Sequence, residues 1–372
     1  MSPFTTPIFI FLLFFTSFVT SAPRPFKKIY AFGDSYTDTG NTASGNGPNA
    51  FTYVSNLPYG STFFHHPTNR YSDGRLVIDF VTESLSLPYL PPYHNTKADT
   101  SYGVNYAVAG STAIPYSFFV KNNLTLDLQS QSLETQLAWF NKNLEGQKCK
   151  SMKVTPNECK KIFDDTLIWV GEIGANDYAY STGSNVEPET IQQLSIRNVN
   201  GFLEALLNKG ATYIVVEGLP TTGCLTLSMA LAPGSDRDDM GCVGSLNKQS
   251  SNHNTILQTK IRDLRQKYPK SIIIYADYYN AYRSVIKNAN RLGFKELYKV
   301  CCGSNGAPYN FDVLATCGSQ SSSSCKDPSK YINWDGVHLT EAMNKALFES
   351  FIKDGFTHPP FGSLLSSKQN LG

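Results

Sequence analysis

The sequence has almost no net charge, and this shortage restricts the partners it can bind. Its 372 residues contain 32 Lys and Arg and 30 Asp and Glu, so the formal net charge is +2 at pH 7. No segment contains a run of Lys or Arg that would supply a basic surface locally. Because proteins bind nucleic acids largely through the charged phosphates, we expect no nucleic-acid partner.

Cysteine is missing from the first 148 residues, and the spacing C-x-x-C occurs nowhere. The missing spacing argues against a zinc site, and we expect neither a metal nor a cofactor. The eight cysteines that follow form an even set, which in an exported chain is typical of four disulfides. They are Cys149, Cys159, Cys224, Cys242, Cys301, Cys302, Cys317 and Cys325.

The pairing of these cysteines is predicted only in part. Two local disulfides are expected, Cys149–Cys159 and Cys224–Cys242. A bridge between the neighbours Cys301 and Cys302 would strain the peptide, because a disulfide needs Cα atoms about 4.4–6.8 Å apart in a specific geometry. Both are therefore expected to pair further along the chain, in an order that stays open, with Cys317 and Cys325.

Long hydrophobic runs are also scarce, since the only one covers residues 7–19. It is short for a membrane span, which needs about 20 residues, and small residues follow it. We interpret residues 1–22 as a secretory signal peptide cut near Ser21 or Ala22, although no Lys or Arg precedes the run; a membrane anchor is the alternative. The protein is then expected in the apoplast or the vacuole, with glycosylation at its single sequon, at Asn123.

The rest of the chain alternates strand-like and helix-like segments. Short runs rich in β-branched residues predict buried parallel strands at 28–32, 165–170, 212–217 and 271–275. Amphipathic stretches predict helices at 132–144, 189–209, 247–268 and 340–354. This alternation predicts one α/β domain over residues 23–372, with a doubly wound parallel sheet flanked by helices.

In such a sheet, ligands bind where loops leave the carboxyl ends of the strands. Ser35 lies in the sequence AFGDSYTDTGN, directly after the first predicted strand. It is either a nucleophile or part of a tight turn. A nucleophilic serine needs a basic side chain and a carboxylate that orients this base.

Histidine is scarce too, which narrows the choice of base to six residues. Five of them are expected on the surface: His65, His66, His94, His253 and His358. His338 alone has an Asp three residues earlier, so the carboxylate of Asp335 can accept from Nδ1–H and leave Nε2 free for Ser35. The spacing D-x-x-H is a weak signal by itself, and a capping or core histidine is the alternative.

Four blocks of the sequence resemble the plant GDSL esterase/lipase family within the SGNH hydrolases. They are FGDSYTDTGN, GVNYAVAGSTA, VGEIGANDY and WDGVHLTEA, in family order and at similar separations. The resemblance implies a flavodoxin-like SGNH fold and a catalytic triad of Ser35, His338 and Asp335. The family motif has Leu where this chain has Tyr36, and we expect that change to affect packing. The first block lacks the second glycine of G-x-S-x-G, which argues against an α/β-hydrolase elbow.

The resemblance also implies an oxyanion hole formed by the backbone N–H groups of Ser35 and Gly110 and by the side chain of Asn176. A glycine allows close approach of the backbone, and a neutral amide is a suitable donor. An ordinary turn is the alternative for the sequence GAND. The neighbouring polar residues are expected to brace the first loop, or in the case of Asp177 the third; those of the first loop are Asp34, Asp38 and Asn41.

The first blocks are most similar to a subgroup of acetylajmalan-type and sinapine-type esterases. We therefore predict a serine carboxylesterase that hydrolyses small acyl esters of a plant specialised metabolite and is a monomer. An acyltransferase and a lipase for longer chains are alternatives, because both would use the same triad. A binding protein is disfavoured by the complete triad. The many loop aromatics either line a substrate pocket or pack beneath long loops.

Overall fold

A computed structural model of the protein describes residues 24–46, 51–124, 131–146, 162–306 and 308–369. The predicted signal peptide, Cys149 and Cys159 lie outside these residues, so the structure does not bear on them.

A six-stranded sheet lies at the centre of the protein. Its strands are β1 (Lys28–Phe32), β2 (Gly103–Asn105), β3 (Thr166–Val170), β4 (Tyr213–Glu217), β5 (Ile272–Ala276) and β10 (Thr357–His358). They are ordered β10-β5-β4-β3-β1-β2. All neighbours pair in parallel except β10, which is antiparallel to β5. The predicted doubly wound parallel sheet is therefore confirmed.

Two small two-stranded sheets lie outside it. One pairs β6 (Glu296–Val300) with β9 (Tyr331–Asn333), and the other pairs β7 (Cys302–Gly303) with β8 (Ser323–Ser324). The described α-helices are Val77–Ser84, Tyr116–Lys121, Leu133–Gly146, Ala175–Ser181, Pro188–Asn208, Thr226–Leu231, Gly244–Lys267, Tyr278–Lys287, Ala289–Leu292, Glu341–Ile352 and Gly362–Gln369. Short 3₁₀ turns occupy Thr222–Cys224 and Pro328–Lys330.

The two faces of the sheet carry separate hydrophobic cores, because successive strand residues point to opposite sides. Ile29 and Ala31 pack on one face, with helices Val77–Ser84 and Glu341–Ile352. Tyr30 and Phe32 pack on the other face, in a core that includes helix Pro188–Asn208. Both faces are covered, which explains why the strands are apolar throughout rather than alternating.

The long helix Gly244–Lys267 buries polar side chains, and His253 on it has no exposed surface. The prediction that His253 is a surface residue is therefore wrong. The buried polar groups of this helix bind the loop after β4: Asn254 donates to the carbonyl of Leu219 and accepts from its N–H. Part of the polar pattern on this helix thus marks contact with a loop backbone.

Three disulfides lie in the described residues: Cys224–Cys242, Cys301–Cys325 and Cys302–Cys317. The structure thus supplies the order that the sequence left open for Cys301 and Cys302. Among the helices of the described residues, none is both long and apolar enough to cross a membrane.

Candidate active site

The three residues of the predicted triad meet at the carboxyl end of β1. Nε2 of His338 lies 2.8 Å from the Ser35 hydroxyl oxygen. Nδ1 of His338 lies 2.9 and 2.8 Å from the two carboxylate oxygens of Asp335. All three side chains are buried, with exposures of 6% for Ser35, 4% for His338 and 0% for Asp335. This is the arrangement that a serine, its base and an orienting carboxylate require.

Asp335 accepts more hydrogen bonds than the sequence predicted. Its Oδ1 accepts from the backbone N–H groups of His338 and Val337, and its Oδ2 accepts from the hydroxyl of Tyr59 over 2.7 Å. Burial alone would raise the pKa of Asp335, but the charge of His338 and these hydrogen bonds hold it below its ordinary value. A carboxylate that stays ionised can keep the His338 ring in one tautomer.

The loop that carries Asp335 and His338 is fixed at both ends. Trp334 N–H donates to the carbonyl of His338 over 2.7 Å, which closes the loop on itself. Cys302 N–H donates to the carbonyl of Trp334 over 2.8 Å, so the cysteine pairs near β7 hold the loop from outside. On the C-terminal side, Thr340 accepts from Met343 N–H and caps the following helix.

The loop that carries Ser35 depends on a residue that sequence reasoning missed. Gly33 ends β1 at φ 140°, where a side chain would be strained. Its N–H donates to Oε1 of the buried Gln136 side chain over 3.0 Å, and Nε2 of Gln136 donates to its carbonyl over 2.7 Å. The same amide nitrogen lies 3.2 Å from Ser111 Oγ. Gln136 therefore links the sequence block around Ser35 to the block around Ser111. No local spacing in the sequence signals this contact.

Two of the predicted oxyanion donors are backbone groups with a free N–H. No acceptor within the described residues takes the N–H of Ser35 or that of Gly110. Gly110 has φ 77°, which only glycine adopts readily, and its carbonyl accepts from Tyr180. An N–H without an acceptor beside a buried serine can bind a developing negative charge.

The third predicted donor, Asn176, already uses both hydrogens of its amide. One points to Asp34 Oδ2 at 2.8 Å and the other to the Ser111 carbonyl at 3.0 Å. To donate to an oxyanion, Asn176 must exchange one of them. The bond to the Asp34 carboxylate is charge-assisted and shorter, so the bond to Ser111 is the weaker one.

The acidic and amide residues of the first block do brace it. Asp38 accepts from the N–H groups of Gly40, Asn41 and Thr42 and, from the second block, Ala109. Burial raises the pKa of Asp38 to about 6, although these bonds oppose the shift.

Asn41 and Asp177 connect different blocks. The Asn41 amide donates to the carbonyls of Asn105 and Ala107. Asp177 accepts from the N–H groups of Ala113 and Ile114, at 2.9 and 2.7 Å. It therefore ties the third block, in which it lies, to the second.

Aromatic rings pack around the imidazole of His338. The rings of Tyr71, Phe51 and Tyr36 have centroids 4.5, 5.4 and 5.8 Å from that of His338. Tyr36 also donates to the carbonyl of Val337 over 2.7 Å. The departure from Leu at this position therefore adds a hydrogen bond between the loops of Ser35 and His338, besides the expected packing.

Other loop aromatics pack away from His338. Phe63, Phe64 and Tyr89 form a cluster of ring contacts, in which Arg75 lies over Phe63 and Arg70 over Phe64. These contacts favour packing over a substrate pocket for that group. Within the described part of the chain, no group of three or more His, Cys, Asp or Glu side chains is arranged to hold a metal ion.

The chain is similar to a known family of ester hydrolases. The family model described as GDSL-like Lipase/Acylhydrolase matches residues 29–351. A GDSL esterase/lipase of Arabidopsis thaliana is 54% identical over 378 residues, which cover 98% of this chain and 97% of that protein. Acetylajmalan esterase 2 of Rauvolfia serpentina is 40% identical over 339 residues, which cover 89% of this chain and 90% of that protein. The chain belongs to the GDSL-like lipase/acylhydrolase family and is a carboxylic ester hydrolase.

Proposed function

We propose that the protein hydrolyses small acyl esters through an acyl-enzyme formed on Ser35. The observation that carries this proposal is the continuous chain of hydrogen bonds from Ser35 Oγ through His338 to Asp335. Ser35 Oγ attacks the ester carbonyl carbon, and its proton passes to Nε2 of His338. Asp335 holds the ring and stabilises the imidazolium that forms.

The negative charge on the carbonyl oxygen is stabilised by three donors. The N–H groups of Ser35 and Gly110 are free to bind it, and Asn176 joins them by giving up its weaker bond to Ser111. When the intermediate collapses, the bond to the alcohol breaks and His338 returns the proton to the leaving oxygen. The acyl group stays on Ser35.

Water completes the reaction in the same way, with His338 removing a proton from it. An acceptor alcohol in place of water would make the protein an acyltransferase, and a long acyl chain would make it a lipase. We favour a short acyl group on a plant specialised metabolite, because two relatives with 40% and 38% identity are named acetylajmalan esterases. The close aromatic packing around His338 fits a small acyl group.

We also propose that the protein is secreted as a single-domain monomer. Disulfides persist in oxidising compartments, and three lie in the described residues. Asn123 is exposed, as a glycosylation site must be.

A series of p-nitrophenyl esters with acyl chains of increasing length tests the substrate class. We expect acetate and butyrate to be cleaved with the highest kcat/KM. A maximum at long chains would identify a lipase instead. Repeating the assay with an acceptor alcohol, and measuring the new ester, separates hydrolysis from transfer; an excess of new ester over free acid would make transfer the main activity.

A further inference from the structure

Three carboxyl side chains lie buried behind the Ser35 loop, and the mechanism above uses none of them. Asp34, Glu172 and Glu217 have exposures of 1%, 0% and 4%. They come from the ends of β1, β3 and β4, which are neighbours in the sheet. Because unpaired buried charges are very costly, the group can carry few negative charges.

Two of the carboxyl groups hold the start of the third block in place. Glu172 Oε1 accepts from Ala175 N–H over 2.9 Å, next to Asn176. Glu217 Oε2 accepts from the backbone N–H of Glu172, also over 2.9 Å. Glu172 is therefore held through its side chain by Ala175 and through its backbone by Glu217.

The second oxygen of Glu172 has no donor. Among the described residues, no N–H or O–H points to Oε2, although it is buried. The carboxyl group of Glu172 lies within hydrogen-bonding reach of that of Asp34. Two carboxyl groups can form a hydrogen bond only when one of them carries a proton.

The proton belongs on Glu172. Asp34 accepts from Tyr36 N–H at Oδ1 and from the Asn176 amide at Oδ2, and both bonds favour its ionised form. Burial and the charge of Asp34 raise the pKa of Glu172 well above its ordinary value. Burial also raises the pKa of Asp34, to about 6, while the bond from Glu172 opposes that rise.

We propose that Glu172 and Asp34 are positioning residues that share one proton: Glu172 donates it to Asp34, and the Asp34 carboxylate anchors the Asn176 amide beside Ser35. This inference rests on the proposed function, since it assigns Asn176 to the oxyanion hole. The bond to Asp34 holds the amide group beside Ser35 while its second N–H exchanges the Ser111 carbonyl for the oxyanion. The anchor thus limits the reorganisation of Asn176 to the exchange of one hydrogen bond, which keeps the donor close to where the negative charge develops.

Asp34 then anchors Asn176 only while it is ionised, and the groups around it determine the pH at which this charge is lost. The titratable groups that face the pair are Asp38, Asp177, Glu217 and His338, with the phenols of Tyr36 and Tyr278. Of these, only His338 lowers the pKa of Asp34 by its charge. Removing the donor on Glu172 therefore raises the pKa of Asp34, so a neutral Asp34 persists to higher pH.

Two substitutions at Glu172 separate donation from volume. In Glu172→Gln, the amide oxygen can still accept from Ala175 and the NH₂ group replaces the protonated Oε2 as donor to Asp34. In Glu172→Leu the donor is gone. Glu217→Gln is the matched control, because it removes a buried carboxyl group but keeps an oxygen that can accept from Glu172 N–H and leaves the donor to Asp34 in place.

The measurement is kcat and KM for p-nitrophenyl acetate from pH 5 to 8, with melting temperatures on the same preparations. Glu172→Gln is expected to follow the wild-type profile. Glu172→Leu is expected to lose about 10- to 100-fold in kcat at pH 6 with little change in KM, less than the loss of a whole oxyanion donor. Its acid limb should move up by about one to two pH units, the value of one hydrogen bond to a charged group.

The outcomes distinguish this inference from the proposed function. An unshifted acid limb in Glu172→Leu, or a shift of equal size in Glu172→Gln or Glu217→Gln, would overturn the role of the shared proton while Ser35 remains the nucleophile. If Ser35→Ala keeps the esterase activity of the wild type, the proposed function itself is overturned.

Discussion

Tyr59 donates a hydrogen bond to Oδ2 of Asp335 over 2.7 Å, although 276 positions separate the two residues in the chain. The bond joins a loop after the first block to the last block, and both side chains are fully buried. Tyr59 is thus a fourth side chain in the series of hydrogen bonds that joins Ser35, His338 and Asp335.

We expect Tyr59→Phe to lower the free energy of unfolding by about 1.5–3 kcal/mol at pH 7, the value of a hydrogen bond to a charged group. The pKa of Asp335 is lower in the folded protein than in the unfolded chain. The ionised carboxylate therefore contributes its full stabilisation above the pKa of the unfolded chain, and this stabilisation is lost as pH falls through the pKa of the folded protein. Urea unfolding of the wild type and of Tyr59→Phe at pH 7 measures this loss of unfolding free energy. We expect kcat/KM to fall tenfold or less, about 1.4 kcal/mol of barrier.

Tyr71→Phe is the control for that experiment. The Tyr71 ring also packs on His338, but its buried hydroxyl has no partner among the described residues. Its removal should change stability by less than about 0.5 kcal/mol. Equal losses in the two variants would show that the bond from Tyr59 has no special value.

Asn176→Ala is expected to lower kcat by about 10²–10³-fold with little change in KM, because the interaction forms mainly in the transition state. Asn176→Asp should be worse, since a carboxylate cannot donate and would lie against Asp34. Melting temperature on the same preparation separates catalysis from folding. A stable alanine variant with nearly normal kcat would remove Asn176 from the oxyanion hole.

His253 makes the stability of the fold depend on pH. Burial lowers the pKa of His253 from its ordinary 6.5 to about 3, and its Nδ1 lies 3.0 Å from the Tyr178 hydroxyl. The unfolded chain takes up this proton below about pH 6.5, so stability falls as pH drops from there towards 3.

His253→Gln removes that titration and keeps a polar group of similar size. Between pH 7 and pH 5 the wild type should lose about 2 kcal/mol more unfolding free energy than the variant, from about 1.36 kcal/mol for each pH unit below 6.5. Urea unfolding at both pH values provides the comparison. Parallel losses would mean that His253 is protonated in the folded protein.

The central strands were predictable because their signal is local. The runs at 28–32, 165–170, 212–217 and 271–275 match the observed strands within one residue. β2 and β10 were not predicted, since strands of three and two residues are too short to show a period. Helix Ala175–Ser181 was also missed, because it begins inside a sequence that resembles a turn.

The triad was predictable and most of its support was not. Asp335 and His338 lie three residues apart, and motif blocks indicate Ser35. Tyr59, Gln136 and the shared proton of Glu172 depend on partners that only the fold brings near. A buried phenol or carboxyl group has the same appearance in sequence whether it packs, braces a loop or orients a catalytic group.

The central claim is that Ser35 is the nucleophile activated by His338, and labelling with a serine-reactive fluorophosphonate tests it most directly. The account predicts one adduct per molecule, located at Ser35 by peptide mass spectrometry, with esterase activity lost in proportion to labelling. Ser35→Ala should retain its fold, take up no label and show no turnover. An adduct at another serine, or activity that persists in Ser35→Ala, would contradict the account.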